Sequence, residues 1–206
     1  MLKKLLASSL LLSSIGAYAG DVSLDYKGFY DRLKRVNKED YSLITMAFYV
    51  PNSKNCKIIS GKITTERKSY PLIYNKDQQL LLPYDEKLRS DRALIQLNLA
   101  GDTTRCGIQV QIASKTKQKH YEATSLQQMF AEMDALYTDL QGFPMKYFSK
   151  GISGISFNFQ SVTQIKVNGV PKQVEDKFVL TESELKKLKH LEFSNNPVRI
   201  SPWFNH

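Results

Sequence analysis

The chain has 206 residues, with 29 Lys and Arg against 20 Asp and Glu, a net charge of +9 and two cysteines. That length suits one sizeable domain or two small ones. The basic excess is spread along the chain rather than gathered in a tail or arm, which argues against a nucleic-acid binder and for a mild preference for anionic surfaces.

Residues 1–19 read as an export leader. Lys3 and Lys4 precede the short apolar run Leu5 to Ile15, and Ala17-Tyr18-Ala19 offers the small side chains that signal peptidase pockets accept. The expected cleavage falls after Ala19, with no cysteine following it to carry a lipid. The apolar run is too short for a bilayer, which takes about 20 residues, and no later run approaches that length. The expected location is the periplasm, with no transmembrane segment in the mature chain.

From Asp21 onward, Val22, Leu24 and Tyr26 alternate as in a strand, and Phe29, Leu33 and Val36 then recur at helical spacing. "YSLITMAFYV" (41–50) is a strand-forming run ended by Pro51, and "PNSKN" reads as a loop. Short strands are expected over roughly 56–65, 69–74, 79–82, 93–99 and 106–113, with turns at Asn75-Lys76-Asp77 and Ala100-Gly101-Asp102. In "CGIQVQI", Cys106, Ile108, Val110 and Ile112 share one face of a strand, and Cys56 and Ile58 alternate likewise. In an oxidising compartment the isolated pair Cys56 and Cys106 is most simply a disulfide; a reactive or metal-binding pair is the weaker alternative, since no CxxC or neighbouring His is present. Residues 20–114 are therefore expected to form an immunoglobulin-like antiparallel β-sandwich with one disulfide. The likeness is one of architecture only, because Trp203 lies far outside the cysteines and no Tyr stands two residues before Cys106.

"SKTKQKH" (114–120) reads as a linker. A long helix follows, with a capping box expected at Thr124 and Gln127 and an apolar stripe of Leu126, Met129, Phe130, Met133, Tyr137 and Leu140, ended by Gly142 and Pro144. Strands in "GISFNF" and "TQIKV", a turn at Asn168-Gly169, the strand "KFVL", a second capping box from Thr181 to Glu184, and strands in "HLEF" and "VRISPWF" complete residues 115–206. The fold class is thus α+β, the sandwich being followed by a long helix and a small C-terminal α+β unit packed on or beside it.

Chemistry is sparse. His120, His190 and His206 are scattered, "GISGIS" lacks the second glycine of a nucleophile elbow, and neither HExxH nor a phosphate-binding glycine loop occurs. No catalytic residue, metal or cofactor is expected. Asp85, Glu86 and Asp91 form a candidate acidic loop. The interleaved Lys87, Arg89 and Arg92 nearly cancel their charge, so a solvated connection between strands is favoured over a metal or acid/base site. Lys115, Lys117 and Lys119, with Lys186, Lys187 and Lys189, are candidate contacts for an anionic glycan or lipid.

The runs "YPLIYNKDQQLLLPYDEKLRSDRALIQLNL" and "CGIQVQI", the helix "FAEMDALYTDLQGF" and the ending "VRISPW" together resemble a family of small exported proteins of marine gammaproteobacteria known as a domain of unknown function. The resemblance covers most of the mature chain, and its motifs are structural rather than catalytic. It implies export and an envelope location, and no activity. The reading that follows is a periplasmic, non-enzymatic binding or interaction module of the cell envelope, with an envelope protein as partner. Binding of anionic glycan or lipid is the alternative, and hydrolysis of envelope material the least favoured reading.

Overall fold

The structure, a computed structural model, describes residues 19–51, 56–101 and 106–205. The expected leader apart from Ala19, most of the loop after Pro51, the end of the turn at Asp102, and His206 lie outside the described residues.

The chain folds as an α+β protein whose strand pairs are all antiparallel. Strand β1 (Ala19–Asp25) runs directly into helix α1 (Tyr26–Lys38), where the Asp25 side chain accepts from the Lys27 N–H. The helical spacing seen in the sequence is the buried face: Phe29, Leu33 and Val36 point inward with Tyr26 and Tyr30. Strands β2 (Ile44–Tyr49), β3 (Lys57–Thr64), β4 (Ser69–Pro71) and β5 (Gln79–Leu80) follow, then the short helix α2 (Glu86–Ser90) and strands β6 (Leu94–Ala100) and β7 (Gln109–Ser114). They form two sheets, of order β1-β6-β3-β4 and β5-β2-β7. Cys56 and Cys106 are bonded, closing a separation of 50 residues.

Strand β8 (His120–Glu122) leads without a break into α3 (Ala123–Gln141). The apolar stripe is its buried face, with Leu126, Met129 and Met133 fully inside and Leu136 added to them. The expected capping box at Thr124 and Gln127 does not form; the helix starts at Ala123, and its N-cap, Glu122, makes no side-chain bond. The physical reason is the preceding strand. Glu122 pairs with His190, and the Ala123 N–H donates to the Lys189 carbonyl, so a ladder provides what a side chain otherwise would.

Strands β9 (Gly154–Asn158), β10 (Thr163–Val167), β11 (Val170–Val174) and β12 (Lys177–Thr181), helix α4 (Glu182–Leu185), and strands β13 (His190–Phe193) and β14 (Arg199–Trp203) complete the fold. Their sheets have the orders β11-β10-β13-β8 and β12-β9-β14. The second capping box forms as expected, Thr181 and Glu184 bonding reciprocally. The Asn168-Gly169 turn joins β10 to β11 with positive φ at both residues, which is the hairpin geometry that Asn-Gly favours. Strand β14 packs against β7, and one buried cluster runs from Tyr26 to Ile200.

One carboxylate ties α3 to the sheet below it. Glu132 accepts from the N–H groups of Ser42 and Leu43, from the Ser42 hydroxyl and from Gln128, at 2.8–3.3 Å. Burial pushes its carboxyl up, but the Leu43 N–H and the other donors together outweigh that and leave it below the usual carboxylate range. A lowered folded pKa stabilises above the unfolded value and loses that contribution as pH falls through the folded one. Glu132→Gln is therefore expected to cost about 1 kcal/mol at pH 7 and progressively less as pH falls through the folded titration, measured by urea unfolding at pH 7 and in acid. Equal destabilisation at the two pH values would show that charge plays no part.

Candidate functional site

An apolar groove of about 580 Å³ opens beside β2. It exists because β5 is short. β5 pairs with β2 only at Phe48↔Leu80 and Tyr49↔Gln79, whereas β7 pairs along the whole of Ile44–Tyr49 on the other side. After Leu80 the chain turns away, and the Leu81 N–H donates to the Ile73 carbonyl at 2.9 Å. Residues Ile44–Ala47 thus have no strand neighbour on that side among the described residues. Thr45 and Met46 of β2, Leu33 of α1, Leu88 of α2 and Asp85 line the groove. Around the mouth, Tyr70, Ile73 and Leu81 are exposed, with Tyr84 exposed nearby. Apolar side chains gathered round a concave opening are the usual composition of a binding site, unlike singly scattered surface hydrophobics.

The lining is fixed by aromatic anchoring. The buried Tyr26 donates from its hydroxyl to the Pro83 carbonyl and accepts from the Asp85 N–H at 3.0 Å. Burial raises its pKa, so the phenol keeps its proton for that bond. Tyr30 stacks on Tyr84 at 4.9 Å, and Arg89 sits 5.3 Å over the Tyr30 ring. The hydrogen bond to Tyr84 pushes the Tyr30 hydroxyl up to about 12. These contacts hold α2 against α1.

The acidic stretch builds that helix. Asp85 is its N-cap, accepting from the Lys87 and Leu88 N–H groups, while Asp91 pairs with Lys87 at 3.0 Å and Glu86 lies 3.9 Å from Arg89. The connection between β5 and β6 is therefore helical, a detail absent from the loop reading, although Asp before Glu in a first turn is a cap signal. Among the described residues no group of three or more His, Cys, Asp or Glu is arranged to hold a metal ion.

The lysines do not converge. Lys119 offers its carbonyl to Phe193 at one end of the β8–β13 ladder, and Lys189 offers its own to Ala123 at the other. Lys115 donates to the Tyr41 carbonyl, and Lys186 pairs with Glu182 at 2.7 Å. Of the histidines, His120 and His190 sit on that same ladder, each facing a glutamate across it. The glycines of "GISGIS" serve packing: a Cβ at Gly151 would meet the Asp134 carboxylate, and one at Gly154 the Leu180 carbonyl. That carboxylate already accepts from the Ile152 N–H at 2.8 Å.

Residues 18–159 match the family described as Protein of unknown function (DUF2987), and the chain belongs to that family. The matched span includes the groove, α3 and β9, and passes through the β7–β8 connection without a break. No curated protein and no solved structure matches the chain. Among the described residues no helix is long and apolar enough to cross a membrane.

Proposed function

We propose that this protein is a periplasmic, non-enzymatic interaction module of the cell envelope, exported by a cleaved leader, and that the groove beside β2 receives an extended apolar segment of a partner envelope protein. The observation that carries this reading is the edge of β2 at Ile44–Ala47, without a strand neighbour on that side among the described residues and buried except at Thr45, where β5 stops after two residues and an apolar groove takes its place. A strand laid there continues β5, gaining backbone hydrogen bonds from β2 and side-chain contacts from Leu33, Met46 and Leu88. An edge left bare invites indiscriminate pairing. Here α1 and α2 wall the edge in, so only a segment narrow enough for the groove reaches it. The bonded cysteines support an oxidising compartment. Residues 20–114 belong to this reading as an immunoglobulin-like sandwich that carries the groove. The lysine clusters, lying at opposite ends of a short ladder, give the anionic-glycan reading less support.

A photo-crosslinking residue placed at Ile73 or Leu81 in living cells is expected to capture one envelope protein through an apolar segment, whereas the same residue at Val170 does not. A synthetic peptide of that segment should bind the purified protein, and Leu81→Arg should weaken it at least tenfold without changing the unfolding midpoint. Capture through other surfaces, or a peptide indifferent to Leu81→Arg, would overturn the groove as the site.

A further inference from the structure

The turn that ends α3 has no role in the core. In six residues, Phe143 to Phe148, four large apolar side chains project into solvent: Phe143 is 85% exposed, Met145 53%, Tyr147 69% and Phe148 78%. Elsewhere exposed aliphatics such as Val162 and Val170 stand singly, which is ordinary. A cluster of this kind is not.

The turn is also preformed. Met145–Tyr147 is a single 3-10 turn, and the N–H groups of Lys146, Tyr147, Phe148 and Ser149 all donate to carbonyls between Gly142 and Met145, at 2.8–3.1 Å. With these four donors satisfied internally, that part of the backbone enters an apolar medium without stripping water from them. Its mount is rigid, since α3 is buried along Leu126, Met129, Met133 and Leu136 and tied down by Glu132.

The turn's own charge has one sign. Between Asp139 and Glu175 the sequence has four lysines and no carboxylate, and two of those lysines, Lys146 and Lys150, belong to this turn and its exit. The nearest acids are occupied, Asp139 lying 3.5 Å from Arg35 and Asp134 accepting from Ile152. Lys146 rests 5.0 Å over the Tyr147 ring, a long side chain whose head is free to reach a phosphate. Phenylalanines at the tip, a tyrosine beside them and lysines behind match the order of a bilayer interface: acyl chains, then the boundary that Tyr favours, then anionic headgroups.

From this cluster and its charge we infer that residues 143–150 dock the protein peripherally on an anionic phospholipid surface, Phe143 and Phe148 entering the acyl boundary and Lys146 and Lys150 meeting the phosphates. The protein is held on the leaflet, not across it, and the inference is independent of the groove.

The test is flotation of the purified mature chain with vesicles of phosphatidylethanolamine and phosphatidylglycerol, and with vesicles of phosphatidylcholine alone. The protein is expected to float with the first at least tenfold better than with the second. The Phe143→Ser/Phe148→Ser double variant should lose most of that association, as should Lys146→Glu/Lys150→Glu, while Lys186→Glu/Lys187→Glu should retain it. All these positions are on the surface, so unchanged unfolding midpoints will separate docking from folding. As a second readout, Phe143→Trp in a Trp203→Phe background should shift its emission to the blue with anionic vesicles only. No flotation with anionic vesicles, equal flotation of the aromatic double variant, or loss confined to the Lys186 and Lys187 variant would each overturn the inference. The last two outcomes would assign the contact to general basic charge.

Discussion

Replacing Cys56 and Cys106 together by alanine is expected to lower the unfolding free energy by about 3–4 kcal/mol, the chain-entropy value for a closed loop of this length. The expected magnitude follows from where the bond sits. Cys56 is buried in front of β3, Cys106 precedes β7, and the two strands belong to different sheets. The crosslink therefore joins the two N-terminal sheets rather than two neighbours in one sheet. Urea unfolding of the double variant, beside the wild type in excess dithiothreitol, measures the effect. The two midpoints should fall together. A loss below about 1 kcal/mol would mean that packing alone joins the sheets.

The second large effect is expected at Gln78. Its backbone lies in the left-handed region at φ 58, and its side chain is almost wholly buried. The amide oxygen accepts from the Ile58 N–H at 2.6 Å, and the amide nitrogen donates to the carbonyls of Cys56 at 2.9 Å and Pro51 at 3.3 Å. One side chain thus satisfies the backbone on both sides of the segment that leads into the disulfide. Gln78→Ala leaves a buried N–H and a buried carbonyl without partners, and a loss of about 3 kcal/mol is expected. Gln78→Gly makes the same hole but relieves the left-handed backbone, so it should lie about 1 kcal/mol above the alanine variant. If glycine is no better than alanine, strain is not part of the cost. Because Cys56 supplies both the disulfide and an acceptor for Gln78, the two perturbations are expected to be non-additive when combined.

Those predictions rest on residues that the sequence disclosed unequally. The inward face of α1 was legible because helix periodicity and burial are the same fact. The cysteine pairing was legible because the pair stands isolated in the chain, but the alternation drawn from Cys106 to Ile112 was not borne out: β7 begins at Gln109, Val110 is exposed, and only Ile112 of the four is buried. Thr181 and Glu184 announced a capping box that forms. Thr124 and Gln127 carried a similar pattern, but a β-ladder delivered the chain into α3 two residues earlier, with Glu122 at the N-cap position. Local chemistry of this kind is decided by what precedes it in space.

The groove was hidden for a related reason. "QLLLP" reads as a strand over 79–82, and such a strand would cover part of the edge of β2. The ladder stops at Leu80 because Leu81 finds the Ile73 carbonyl instead, a choice made by a segment several residues upstream. Gln78 was hidden too. A glutamine beside Asn-Lys-Asp reads as turn surface, and nothing local signals that its amide points inward at backbone twenty residues away. Glu132 likewise resembled any solvated helix carboxylate. In each case the missing information was a partner distant along the chain.

The order β12-β9-β14 has a consequence for how this molecule comes into being. β9 is the middle strand, yet both its neighbours are made after it, and Trp203 at the end of β14 sits opposite Gly154 at its start. Until those final residues are available, the apolar side chains of Ile155 and Phe157 have only transient cover. The slowest contacts to form are therefore those of highest sequence separation, a wait set by topology rather than by local propensity. A chain that cannot close its centre early stays pliable for longer. The same delay exposes β9 to mispairing until the last residues of β14 arrive.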